Sequence, residues 1–169
     1  MKWVTRSGAL AYALAAAVVV ADQAAKAWIL GGLHLLAGLP LRVWGPLRLT
    51  LVENAGISFG LFQSDADWTR WVLAAFSLVV AVSLSVWVRR AERPLAGVAL
   101  GLIIGGAIGN LIDRLRAGVV IDFIDVTQLF FPWIFNIADS AITIGVALLL
   151  IESVIPRHEG HSLEGRKGA

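Results

Sequence analysis

Four long apolar runs decide what this chain can fold into. They cover Ser7 to Ala21, Trp71 to Val88, Leu95 to Ile112 and Ile134 to Ile151, and the first three contain no charged residue. A helix rises about 1.5 Å per residue, so helices of roughly 18–23 residues cross a hydrocarbon layer about 30 Å thick. The first run is expected to continue as a helix through Asp22 and Lys26 to about Leu30. Spans are then expected near 7–30, 68–88, 95–115 and 134–155, with outer segments 31–67 and 116–133, a short connection 89–94 and a tail 156–169.

Composition agrees. Hydrophobic residues make up 58% of the 169-residue chain and charged residues 15%, with a mean hydropathy of +0.79. Soluble proteins carry about 25% charged residues. A soluble fold of this size could not hide so much apolar surface, so the bilayer is the expected solvent. The expected fold is a single all-α membrane domain with four transmembrane helices and a small outer-surface β-hairpin or cradle. Lys2, Arg6 and the alanine-rich first run also fit a secretory signal peptide. That alternative is disfavoured because the run leads into the polar Asp22–Lys26 pair and three more spans follow.

Arginine and lysine placement sets the orientation. Lys2 and Arg6 precede the first span, Arg89, Arg90 and Arg93 lie between the second and third, and Arg157, Arg166 and Lys167 follow the fourth. These three segments lie on one side, so both termini are expected in the cytoplasm. Trp3 and Trp87 mark the inner interface, and Trp28, Trp68, Trp71 and Trp133 the outer one. In the longer outer segment Leu47 to Leu51 alternates as a strand, Asn54-Ala55-Gly56 is expected to turn, and Ile57 to Phe62 to return as a second strand. Asp65 is expected to cap the second span. Val119 to Val126 is a second β-rich stretch.

Acidic residues gather at one depth. Asp22 lies roughly 24 Å along a helix from Arg6, Asp113 roughly 30 Å from Arg93, and Asp139 roughly 27 Å from Arg157. Asp122 lies nine residues beyond Asp113, in the outer loop. Asp22 and Lys26 are spaced i, i+4, and Asn110–Asp113 and Asn136–Asp139 i, i+3, so each pair shares a helix face. Any one pair could be an interfacial ion pair or helix glue. Several at one depth point to function, because burying ionisable groups near a membrane is costly. Gly97, Gly101, Gly105 and Gly109 form a stripe on the third span that is expected to let another helix approach closely.

The residue inventory narrows the chemistry. The chain has no cysteine, which removes disulfides, thiolate metal sites and cysteine nucleophiles. Its histidines are His34, His158 and His161, two of them in a polar tail, and no metal-ligand spacing is present. Ser140 has no evident activating base. A net charge of +2 gives no reason to expect nucleic acid. Paired carboxyl groups remain. Two in a partly desolvated site cannot both ionise easily, so one can activate water while the other supports the carbonyl oxygen and protonates the leaving amine. Asp113, Asp122, Asp125 and Asp139 are the candidates on chemistry alone.

Five sequence blocks resemble the lipoprotein signal peptidase, or signal peptidase II, family. They are D-Q-A-A-K (Asp22 to Lys26), N-A-G-I-S-F-G (Asn54 to Gly60), G-G-A-I-G-N-L-I-D-R (Gly105 to Arg114), V-V-I-D-F-I (Val119 to Ile124) and F-N-I-A-D-S-A-I (Phe135 to Ile142). The resemblance implies four membrane helices with a β-cradle and an outer-surface helix. It implies an aspartic endopeptidase in the bacterial inner membrane, its active site near the outer face. The implied reaction removes the signal peptide of diacylglyceryl-modified prolipoproteins just before the lipidated cysteine. Asp122 and Asp139 are the implied catalytic pair. Asp22, Lys26, Asn54, Gly56, Asn110, Asp113, Arg114 and Asn136 are implied to shape the site or contact substrate, with Asp113 paired to Arg114 or ordering the loop. Asp125 falls outside the family pattern and is expected to point away from Asp122 into solvent. No cofactor or metal is implied; prolipoprotein and membrane lipid are the expected partners of a monomer. The rival possibilities are a small proton-coupled transporter and a non-catalytic adaptor. Transporter sites lie near the midplane, whereas these acids gather at the outer edge.

Overall fold

The computed structural model describes residues 4–33, 35, 37–56, 67–129 and 131–155. Helix α1 spans Arg6–Ala27 and runs on into a wider π-type turn at Trp28–Gly32. Thr5 caps it by accepting a hydrogen bond from the Gly8 N–H. Helices α2 (Asp67–Val88) and α3 (Pro94–Arg116) follow. Pro94 suits the first turn of α3, where its missing N–H costs nothing. Helix α4 spans Ile137–Val154. These four helices are long and apolar enough to cross a membrane. Helix α3 lies at the centre, packed against α1, α2 and α4. Phe76, Val79, Ile144 and Leu150 stay exposed on the outside of the bundle, as expected where lipid is the solvent.

The glycine stripe explains the close contact with α1. A Cβ on Gly101 would lie 2.6 Å from the Ala11 carbonyl oxygen, and one on Gly105 2.7 Å from Val18 Cβ. No larger residue fits at this helix separation.

Strands β1 (Leu41–Trp44), β2 (Leu47–Asn54), β3 (Val120–Asp125) and β4 (Ile134–Phe135) form one antiparallel sheet in that order. Leu51, Ile121 and Phe123 pack with Ile29 to form its apolar core. The sheet is larger than the expected hairpin, and the hairpin lies elsewhere. Strand β2 turns back through Gly45-Pro46 to β1, upstream of it, with Gly45 at φ +52°. Beyond Asn54 the expected return strand at 57–62, and Asp65 with it, lies outside the described residues. On its other edge β2 takes β3, which pairs Val52 with Asp122. Helix α4 opens three residues later than the apolar run, because Ile134–Phe135 joins the sheet and Asn136 caps the helix. Besides the four long helices, the described residues hold the turn at Trp28–Gly32 and a 3-10 turn at Thr127–Leu129; part of the segment in which an outer-surface helix is expected, 57–66, lies outside the described residues.

Candidate active site

The capping of α4 builds the centre of the site. The Asn136 side-chain oxygen accepts the Asp139 backbone N–H at 2.8 Å, an ordinary N-cap bond. The other end of the same carboxamide donates from Nδ2 to Asp122 Oδ1 at 2.7 Å, and reaches Asn110 Oδ1 at 3.2 Å and the Ile121 carbonyl at 3.3 Å. Asn136 is completely buried. One side chain thus ties the strand carrying Asp122 to the helix carrying Asp139. Each acid has a second amide. Asn54 Nδ2 donates to Asp122 Oδ2 at 2.9 Å, and Asn110 Nδ2 to Asp139 Oδ1 at 2.8 Å.

A second layer holds the charges. Lys26 Nζ bridges Asp22 Oδ2 at 2.7 Å and Asp113 Oδ2 at 2.6 Å. Asp22 Oδ1 also accepts the Ala138 N–H at 3.0 Å, in the first turn of α4. Gly109 leaves room for this, since a Cβ there would lie 2.8 Å from Asp22 Oδ2. Asp113 takes Lys26, not Arg114, as its ion-pair partner. It orders the following loop by accepting the Ile121 N–H at 3.2 Å, one residue before Asp122. Arg114 points instead to the Gly56 carbonyl at 3.1 Å, while Asn54 Oδ1 accepts the Gly56 N–H at 2.9 Å. All ten residues singled out in the sequence therefore meet at one end of the bundle.

Charge counting shows what the cluster can do. Asp22, Asp113, Asp122 and Asp139 are buried with two cations, Lys26 and Arg114. If all four acids ionised, two negative charges would be left uncompensated. The single charge of Lys26 is shared between Asp22 and Asp113, so the cluster as a whole carries an excess of negative charge that favours a retained proton. Burial pushes the Asp122 carboxyl up to about 7, and the Asp139 charge pushes the same way. Hydrogen bonds from Asn54 and Asn136, and the charge of Lys26, oppose both. A carboxyl pair that shares a proton near neutral pH can act as acid and base in turn. Beside Asp139 lies a cavity of about 200 Å³ lined by Phe131, Phe135, Ser140, Thr143 and Ile144.

Asp125 corrects an expectation. It points away from Asp122 but is only 2% exposed, because both faces of β3 are covered. Thr50 Oγ1 donates to it at 2.6 Å, the Thr127 N–H at 2.9 Å and Thr127 Oγ1 at 2.7 Å, and Arg48 pairs with it at 3.0 Å. Burial alone would raise its pKa, but these hydrogen bonds outweigh burial and bring it down to about 2. It fastens β3 to β2 and has no contact with the catalytic candidates.

Two contributors were not singled out in the sequence. Gln23 Nε2 donates to Asp113 Oδ1 at 2.8 Å and to Asp22 Oδ2 at 3.2 Å. It lies inside the D-Q-A-A-K block, and that was its only signal. Arg70 donates to the Arg114 carbonyl at 2.7 Å and the Leu115 carbonyl at 2.9 Å, capping the end of α3. A lone arginine in the first turn of an apolar span was the available hint.

Comparison with known proteins agrees with this geometry. The family model described as signal peptidase (SPase) II matches residues 14–155. The chain belongs to the signal peptidase II family. It is therefore a membrane peptidase of that family, and the comparisons give the transporter alternative no support. A protein of Caulobacter vibrioides named lipoprotein signal peptidase is 58% identical over 153 residues, 90% of each chain. One of the same name from Methylorubrum extorquens is 43% identical over 89% of this chain and 87% of its own. A solved structure described as a bacterial membrane enzyme superposes with a TM-score of 0.77 at 28% identity, covering 100% of this chain and 99% of that one.

Proposed function

We propose that this signal peptidase II family member removes the signal peptide of diacylglyceryl-modified prolipoproteins, with Asp122 and Asp139 as the catalytic pair. The observation that carries the assignment is the position of Asn136, whose single carboxamide holds Asp122 by one end and the Asp139 backbone by the other. That arrangement ties the strand carrying one carboxyl to the helix carrying the other through a neutral amide that adds no counter-charge. The ionised member takes a proton from water, and the resulting hydroxide attacks the scissile carbonyl. The protonated member donates to the carbonyl oxygen as charge develops there, and a proton is passed to the leaving amine as the bond breaks. Asn54, Asn110 and Asn136 orient the pair. Lys26 pairs with both Asp22 and Asp113, and those two acids scaffold the site through the Ala138 and Ile121 N–H groups.

The surroundings suit a substrate already in the bilayer. The cavity beside Asp139 is walled by apolar and aromatic side chains and can receive an apolar substrate segment arriving from the side. The distribution of basic residues supports a topology with both termini in the cytoplasm and the carboxylates near the outer face of the inner membrane. Purified enzyme should cleave a synthetic prolipoprotein peptide carrying a diacylglyceryl cysteine, releasing the signal segment with that cysteine as the new N-terminus. Equal cleavage of the unlipidated peptide, or cleavage at another bond, would contradict the proposal.

A further inference from the structure

Along one side of the bundle α2 packs on α3 but barely touches α1. The gap is a groove of about 430 Å³ lined by Tyr12 of α1, Leu78, Ala81, Val82, Ser85 and Val86 of α2, Ile108 and Leu111 of α3, and Arg89 at its mouth. Its wall is held in place. The Tyr12 hydroxyl donates to the Ser85 carbonyl at 2.6 Å, the Thr5 N–H to the Arg89 carbonyl at 3.2 Å and Ser7 Oγ to the Glu92 carbonyl at 3.0 Å.

Those latches bring the start of α1 against the α2–α3 connection, gathering Arg6, Arg89 and Arg90 at one end. All three are exposed. Among the described residues none takes part in an ion pair, whereas Arg93 is held by Glu152 at 2.7 Å. The groove therefore has a cationic head and an apolar body. Its α2 wall from Arg89 to Leu78 spans about one leaflet, and Ile108 and Leu111 line the deeper end. From Arg89 to Leu78 is eleven residues of helix, roughly 16 Å, against roughly 15 Å for half a hydrocarbon core. A free anion would use only the head, and a zwitterionic lipid would bring its own cation beside the three arginines.

We propose that this groove binds one anionic phospholipid of the leaflet facing the Arg89 end, its phosphate at Arg89 and one acyl chain along Val86, Val82 and Leu78. Basic pockets between membrane helices commonly receive such headgroups. None of the ten site residues lines the groove, and its binding does not depend on the peptidase chemistry.

Native mass spectrometry of the detergent-solubilised enzyme tests this, with phosphatidylglycerol, phosphatidylcholine of the same chains, and inorganic phosphate as separate additions. The expected result is one phosphatidylglycerol retained at least tenfold better than phosphatidylcholine, with no displacement by phosphate. Arg89→Gln should lower phosphatidylglycerol retention at least fivefold. Arg90→Gln, which removes the same charge outside the groove lining, should lower it less than twofold. Val82→Trp, at an exposed position, should block retention while the thermal midpoint without lipid stays unchanged. Equal retention of the two lipids, equal effects of the two arginine variants, or displacement by phosphate alone would overturn the proposal.

Discussion

Asp22 accepts a hydrogen bond from the Ala138 backbone N–H across 116 positions of sequence. The bond joins the C-terminal part of α1 to the first turn of α4, one residue before Asp139. The buried Asp22–Lys26 pair is thus more than an interfacial ion pair, because it fixes the helix that presents an acid. The close approach of α3 allows it, since Gly109 leaves space for the Asp22 carboxylate.

That packing makes a two-part prediction. Gly105→Leu should strongly destabilise the fold, because the new side chain meets the α1 backbone at Ala15 and the Val18 side chain. Gly109→Ala should cost less stability but more activity, by displacing Asp22 and through it the start of α4. Thermal midpoint and turnover, measured together, check both. A Gly105→Leu enzyme with unchanged midpoint would remove the close-packing explanation.

Asp125→Asn should lower stability while leaving turnover per folded molecule within about twofold. Hydrogen bonds to a buried charged group are worth roughly 1.5–3 kcal/mol. The Asp125 pKa is depressed, so its contribution is present above its unfolded value near 4 and is lost as pH falls from there toward 2. The stability gap between wild type and variant should therefore be full at pH 6 and shrink on acidification through that window. A variant as stable as wild type at pH 6 would contradict the fastening role.

Asp122 has the opposite sign. Its folded pKa is raised to about 7, so the native state holds a proton that the unfolded chain has released between pH 4 and 7. That contribution is complete below about pH 4 and is lost as pH rises through 7. Asp122→Asn should accordingly gain stability relative to wild type as pH is raised from 5 to 8. Reversible denaturation at several pH values measures it, and a pH-independent difference would show that Asp122 is not protonated near neutrality.

How far the sequence revealed all this depends on the kind of signal. The four helices were legible because apolar length alone specifies them, and residue counts from the basic ends brought Asp22, Asp113 and Asp139 to one depth. The sheet was less legible. Leu41-Arg42-Val43-Trp44 is short and fully exposed, and only the Gly45-Pro46 pair signalled its turn. Asp125 was misjudged because alternation along a strand says which face a residue takes, not whether that face is covered. Asn136 was legible as a motif residue, but its two-ended grip on Asp122 and Asp139 depends on a strand–helix junction that no spacing rule encodes.

Topology is tested by a reporter fused after Lys167. In intact cells it should be inaccessible from the outer side, because the basic segments gather with that tail. Labelling from outside would invert the bundle and move the carboxylates to the cytoplasmic face.

The most direct test of the catalytic pair is single-turnover cleavage of a lipidated substrate by well-folded Asp122→Asn, Asp139→Asn and Asp113→Asn enzymes. Asparagine keeps the shape and the hydrogen-bonding reach but cannot exchange the proton. The first two variants should lose activity by on the order of 10²–10⁴-fold or more. Asp113→Asn should be impaired mainly in proportion to the folded protein it loses, since Asp113 acts through Lys26 and the Ile121 N–H. Substantial turnover by Asp122→Asn beside complete loss in folded Asp113→Asn would move the pair to Asp113 and Asp139. Activity surviving in Asp139→Asn as well would contradict the aspartic mechanism itself.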